Sequence, residues 1–111
     1  MAERNEFENG RASRQFERVV GPFDGYRVGL LETPVLIYDL SRGGCFVNST
    51  LDHPVGSKLV LKIDLPGEGP VTVNAEVMNC RAGIGFGVRF VDVDAETVQR
   101  LMRTIDALKE P

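Results

Sequence analysis

Residues Val71-Thr72-Val73-Asn74-Ala75-Glu76-Val77-Met78-Asn79, written VTVNAEVMN, decide the fold class. Val71, Val73, Ala75, Val77 and Asn79 alternate with Thr72, Asn74, Glu76 and Met78, a period of two. Successive side chains of a strand point to opposite faces, so the pattern is a strand with one apolar and one wet face. On either side lie turn signals, Pro66-Gly67-Glu68-Gly69-Pro70 before it and Arg81-Ala82-Gly83 after it. Similar breaks recur along the chain at intervals typical of all-β domains. Strands are therefore expected at 26–31, 35–40, 45–48, 58–65, 71–79 and 85–91. The last segment changes period. Val98, Leu101, Met102, Ile105 and Leu108 fall at spacings of three and four, which gives one apolar stripe on a helix. Asp94 is the expected N-cap, and Pro111 lies beyond the helix end. Six strands and one amphipathic helix predict a mainly β fold. The expected form is a six-stranded antiparallel barrel, closed or nearly so, with the C-terminal α-helix lidding an opening or one face.

At 111 residues the chain is one domain, large enough to bury a core without staples. A hydrophobic content of 42% and a charged content of 26% are ordinary for a globular protein. The net charge of −3 argues against coating nucleic acid or an anionic membrane through bulk charge. Any bound anion must be held by local arginines. No stretch approaches the ~20 apolar residues of a membrane span, and the N-terminus has no apolar run that could serve a signal peptide. A cytoplasmic location without membrane insertion is the expectation. Cys45 and Cys80 fit no CxxC spacing and are expected to be reduced, half-buried thiols. His53, in Asp-His-Pro, has no neighbouring metal ligand in sequence and is expected in a solvated turn. No metal or cofactor is expected. There is no Ser-His-Asp set and no paired catalytic carboxylates with a companion base, so the chain does not read as an enzyme.

Residues 1–18 show no apolar period. Arg4, Arg11, Arg14 and Arg18 cancel Glu3, Glu6, Glu8 and Glu17. Such a segment cannot offset its ordering entropy alone, so 1–18 reads as a flexible arm and 19–111 as the barrel with its helix. A second unusual stretch is Ile37-Tyr38-Asp39-Leu40-Ser41-Arg42-Gly43-Gly44-Cys45-Phe46-Val47, in which a strand-turn-strand connection carries more polar groups than a turn requires. Asp39 and Ser41 could simply cap a hairpin. Arg14 and Arg18, four apart with Glu17 between them, could be a solvated charged face.

Taken together, Arg14 and Arg18 as RxxxR, and Asp39, Ser41 and Gly44 as [D/N]xSxxG, resemble the PilZ family of cyclic-di-GMP receptors. The stretch Gly87-Val88-Arg89-Phe90-Val91-Asp92 is similar to that family's last strand, and the resemblance covers roughly residues 11–108. Either motif alone is weak; both in order on this β pattern are specific. The resemblance implies a ligand site of Arg14, Arg18, Asp39, Ser41 and Gly44, with Arg11 and Gly43 as additional contacts. It also implies a receptor that switches conformation on binding and signals to an effector protein in trans, in motility, exopolysaccharide, adhesion or virulence control. The residue types suit the ligand. Arginine forks match phosphate oxygens and the guanine O6/N7 edge, and they stack on bases. A carboxylate at Asp39 can accept from guanine N1–H and N2–H₂, Ser41 can donate to a phosphate or base oxygen, and Gly44 allows close backbone approach or φ > 0.

Two other classes stand beside this reading. One is a PilZ-like module that binds only protein. The other is a small RNA-binding barrel, since Gly85-Phe86-Gly87-Val88-Arg89-Phe90 loosely resembles aromatic stacking strands. Against a nucleic-acid polymer stand the acidic balance and the modest aromatic content of six Phe, two Tyr and no Trp. Gly83, Gly85 and Gly87 precede a strand instead of opening a helix, so they are not a dinucleotide loop and are expected to permit barrel bending.

Overall fold

The computed structural model describes residues 17–50 and 53–109. Arg11, Arg14 and most of the expected arm lie outside the described residues. Six strands follow in order: β1 (Val19–Val28), β2 (Thr33–Ser41), β3 (Gly44–Asn48), β4 (Lys58–Leu65), β5 (Gly69–Arg81) and β6 (Gly85–Val91), and then helix α1 (Ala95–Leu108). All pairings are antiparallel, and the sheet closes as a barrel in the order β1-β2-β3-β6-β5-β4.

The period of two fills the barrel. Val71, Val73, Ala75 and Val77 point inward from β5, and Leu61, Ile63 and Leu65 from β4. Ile37, Leu40, Val47 and Phe86 complete a core from which water is excluded. Burial of such side chains contributes about 1.5–3 kcal/mol each before entropy is subtracted. Helix α1 starts where Asp94 accepts a 2.7 Å hydrogen bond from Thr97 N, and it buries Leu101, Thr104 and Ile105. The helix packs against β2 and β4. Arg100 donates to the carbonyls of Glu68 and Pro70, and Arg103 forks onto Glu68 at 2.9 and 3.1 Å, so the helix is tied to the β4–β5 turn. It lids the barrel end at which β2 and β4 finish.

Four expectations are corrected. The first strand begins at Val19, well before residue 26, and ends at Val28, leaving Leu30 and Leu31 exposed in the turn to β2. Pro22 hides this strand in the sequence, because proline cannot donate to a ladder. It is tolerated because Gly21 and Pro22 fall within a register shift between Val20 and Phe23. Asn79 does not continue the inner row of β5. A bulge between Val77 and Asn79 turns it outward. The cysteines are not both half-buried: Cys45 is in the core and Cys80 is exposed. His53 is partly buried, its ring 4.4 Å from that of Phe86. Among the described residues no helix is long and apolar enough to cross a membrane, and no cluster of His, Cys, Asp or Glu could hold a metal ion.

Candidate functional site

Strict alternation along β2 would send Asp39 into the core, since Ile37 points inward. The register prevents this. Ile37 pairs with Val47 and Asp39 with Phe46, so Tyr38 is an extra residue on β2. The bulge places Tyr38 and Asp39 together on the outer wall and returns Leu40 to the core. A bulge also leaves a backbone donor without its ladder partner. Here Asp39 Oδ1 accepts from Phe46 N at 3.1 Å and closes the gap.

The same oxygen accepts from Arg18 NH1 at 2.9 Å. Register explains the meeting: Val20 of β1 pairs with Asp39, and Arg18 lies two residues upstream of Val20. The two sequence motifs are thus brought into contact through one residue of each. Asp39 is 31% exposed and Arg18 39% exposed, so water competes for both groups. Such a pair contributes about 0–1 kcal/mol and is readily exchanged. Beside it, Glu17 accepts from Lys109 Nζ at 2.6 Å, linking the start of β1 to the end of α1. That hydrogen bond holds the Lys109 ammonium above its ordinary pKa.

Ser41 sits elsewhere than on an open wall. It is buried, and its Oγ accepts from Gly43 N at 3.2 Å and Gly44 N at 3.1 Å while donating to Gly44 O at 3.2 Å. The hydroxyl therefore clasps the two-residue turn Arg42-Gly43. Tight hairpins commonly use φ > 0 in the turn, but neither residue here does. Gly44 has no positive φ either. Its constraint is β6: a Cβ there would lie 2.2 Å from the Val88 carbonyl oxygen. Gly43 O accepts from Phe90 N at 2.9 Å, which extends the pairing with β6 onto the turn. In this structure Ser41, Gly43 and Gly44 fix the shape of the wall, and Asp39 and Arg18 supply its exposed chemistry. Arg14 and Arg11 lie outside the described residues.

Burial distinguishes the two thiols. Desolvation, with the Asp39 charge added, pushes the Cys45 thiol far above the range in which it ionises. Two surface hollows, of about 630 Å³ and 450 Å³, are lined by other residues, among them Glu76 and Arg89 in the first and His53 and Phe86 in the second. The Asp39 wall is not part of either.

Sequence reasoning passed over the neighbours of Asp39. The rings of Tyr38 and Phe46 are stacked, 6.2 Å between centroids and 13° between planes, and the Arg81 guanidinium lies 5.9 Å from the Phe46 ring centre. The available signal was two aromatics flanking Asp39 in the chain.

The PilZ domain family profile matches residues 13–107. No curated protein matches the chain. Among solved structures, the Bacillus subtilis inhibitor of motility (MotI/DgrA) superposes with a TM-score of 0.76 at 23% identity, covering 86% of this chain and 51% of that one. Escherichia coli YcgR in complex with c-di-GMP gives 0.73 at 19% identity, covering 86% and 46%. The chain thus spans about half the length of these two proteins. The PilZ domain of E. coli YcgR with c-di-GMP gives 0.71 at 18% identity, covering 86% and 91%. At these identities the likeness is one of fold. The profile, by contrast, runs from before β1 into α1 and takes in both motifs from Arg14 onward, and on that ground the chain belongs to the PilZ domain family.

Proposed function

We propose that this chain is a receptor for cyclic-di-GMP, with Arg14, Arg18, Asp39, Ser41 and Gly44 forming its site and Arg11 and Gly43 adding to it. The observation that carries the reading is the 2.9 Å meeting of Arg18 and Asp39 on the outer wall. The resemblance assigns each of these residues to a different ligand-binding motif, and the fold brings them side by side. Similar folds whose structures contain c-di-GMP support the choice of ligand.

The ligand enters by exchange. Arg18 gives up the Asp39 carboxylate for a phosphate oxygen, and Asp39 turns its freed acceptor to guanine N1–H and N2–H₂. Ser41 and Gly44 hold the turn in the shape that presents Asp39. Because the wall is open, a second element must close over the ligand. The arm carrying Arg11 and Arg14 does so, becoming ordered as it binds. The surface thereby changed is read by an effector protein in trans. Binding is the whole chemistry, and no bond is made or broken. Charge-assisted hydrogen bonds net about 1.5–3 kcal/mol each. Two arginines, Asp39 and base stacking thus reach about −8 to −9 kcal/mol, micromolar to sub-micromolar, after the arm is ordered.

Calorimetric titration of cyclic-di-GMP at rising salt tests the arginine clamp. Affinity falls as ionic strength rises if arginines hold the phosphates. An affinity indifferent to salt would count against the clamp.

A further inference from the structure

The two ends of the barrel are finished differently. Helix α1 lids the end that carries the β2–β3 turn, the β4–β5 turn and the link from β6, which read Arg42-Gly43, Pro66-Gly67-Glu68 and Asp92-Val93-Asp94. No large apolar side chain stands exposed in any of these three. The opposite end carries the β1–β2, β3–β4 and β5–β6 connections, and each presents apolar side chains to water. Leu30 is fully exposed and Leu31 80% exposed at the first tip, Val55 is 65% exposed at the second, and Ile84 is 50% exposed at the third. Single exposed leucines are ordinary on a protein surface. Their presence on every connection of one end, and on none at the other, is not.

Turn chemistry does not ask for these residues. Tips are commonly filled by Gly, Asn, Asp, Ser or Pro, for their backbone preferences and local hydrogen bonds. A side chain as exposed as Leu30 returns no burial energy to the fold. The tips are nevertheless held in place. Asn48 Nδ2 and Ser49 N both donate to Ile84 O, at 2.9 and 3.1 Å, and Gly56 N donates to Val77 O at 2.8 Å.

Cations stand behind the tips. Arg27 NH1 lies so near the β1–β2 tip that a Cβ on Gly29 would meet it at 3.6 Å. Lys58, just after the β3–β4 connection, and Arg81, just before the β5–β6 turn, are exposed. Glu32 is the only acid among the described residues of these connections, and Lys62 Nζ pairs with it at 3.3 Å. Asp52 lies outside the described residues. The net charge of −3 opposes adsorption through bulk charge, but the described charge at this end is mainly positive. Apolar side chains that protrude singly from separate tips do not make the continuous, well-packed centre of a protein interface. They suit a fluid surface that closes around each of them while its negative charge attracts the cations behind.

We propose that the barrel end opposite α1 docks peripherally on an anionic lipid surface. Leu30 and Leu31 enter the boundary between headgroups and acyl chains, Val55 and Ile84 widen the contact, and Arg27, Lys58 and Arg81 face the lipid phosphates. The ten residues of β1 separate Arg18 from these tips by about 30 Å at the rise of a strand. The Asp39 wall and the lipid surface therefore do not compete, and the docking does not depend on the function proposed above.

Co-sedimentation of the whole chain with vesicles tests this, using phosphatidylcholine alone and an equimolar mixture of phosphatidylcholine and phosphatidylglycerol. The wild type should partition onto the mixed vesicles and far less onto phosphatidylcholine, and added salt should release it. The double variant Leu30→Ser/Leu31→Ser removes exposed apolar surface without touching the core, and should lower the partition coefficient by at least about tenfold. Lys58→Gln, also at an exposed site, should lower it about fivefold, the share of one cation beside an anionic surface. Calorimetric titration of cyclic-di-GMP should not distinguish either variant from the wild type; weaker binding would overturn the separation of the two ends. Wild type left in the supernatant with both kinds of vesicle would overturn the docking, and so would mixed-vesicle binding that the leucine variant retains in full. A dimer seen in sedimentation velocity and lost in the leucine variant, without vesicle binding, would overturn it in favour of a second copy of this chain.

Discussion

Replacing Asp39 separates two roles that the structure gives to one oxygen. Oδ1 satisfies the Phe46 N–H left over by the bulge at Tyr38, and it pairs with Arg18. Asp39→Ala removes both. The orphaned, part-buried N–H costs about 1–2 kcal/mol, toward the lower half of the range for an unsatisfied donor. The exposed ion pair adds at most about 1 kcal/mol. For a domain of this size each kcal/mol moves the midpoint by about 4–5 °C, so Asp39→Ala should unfold about 4–15 °C below wild type. Asp39→Asn keeps an acceptor at the same place and loses only the charge, so it should unfold within about 5 °C of wild type on the same scale. That difference gives a physical reason for a motif that admits Asp or Asn: the bulge needs an oxygen, not a charge. Differential scanning calorimetry on the three proteins decides it. An Asn variant as unstable as the Ala variant, or an Ala variant as stable as wild type, would refute the capping argument.

The clasp, the thiols and the helix anchor each give a further expectation. Ser41→Ala leaves Gly43 N and Gly44 N without their acceptor and should cost about 2 kcal/mol, read as a lower urea midpoint at unchanged slope; an unmoved midpoint would show the clasp to be idle. In native protein a thiol reagent should modify Cys80 and spare Cys45, which is buried and far from ionising, with Cys45 reacting only after denaturation; rapid modification of Cys45 in the folded protein would contradict the core assignment. The Glu68 carboxyl is held below its ordinary value of 4.5 chiefly by the hydrogen bond from Arg103, with the charges of Arg103 and Arg100 adding to it. Because its folded pKa is depressed, its contribution to stability is complete above the unfolded value and disappears as pH falls through the folded one. The stability advantage of wild type over Glu68→Gln should therefore hold at neutral pH and shrink below about pH 4.5; an advantage that persists to pH 2 would contradict the sign.

The parts of the fold that were legible follow from simple periods. The Val71–Val77 alternation and the stripe of Leu101 and Ile105 are strong because each residue answers to one continuous core. The bulges were illegible for the same reason. A single extra residue at Tyr38 or Met78 shifts the phase by one, which in sequence looks like a weaker pattern. The phase shift at Tyr38 is what moves Asp39 to the outer wall, so the motif could be recognised while its geometry could not. Ser41 and Gly44 were legible as members of the motif but not in their roles. The clasp depends on where Ser41 Oγ points, and the need for glycine at 44 comes from Val88, a strand distant in sequence. His53 gives the same lesson, since its contact with Phe86 joins a loop to a strand more than thirty residues later.

The proposed receptor depends on Arg18 exchanging Asp39 for the phosphate of cyclic-di-GMP. Its most direct test is parallel isothermal titration of cyclic-di-GMP into the wild type and Arg18→Ala. Micromolar or tighter binding to the wild type and a loss of about tenfold or more in the variant are expected, from the value of one charge-assisted hydrogen bond. Equal dissociation constants for the two proteins, or no heat of binding to the wild type, would contradict it.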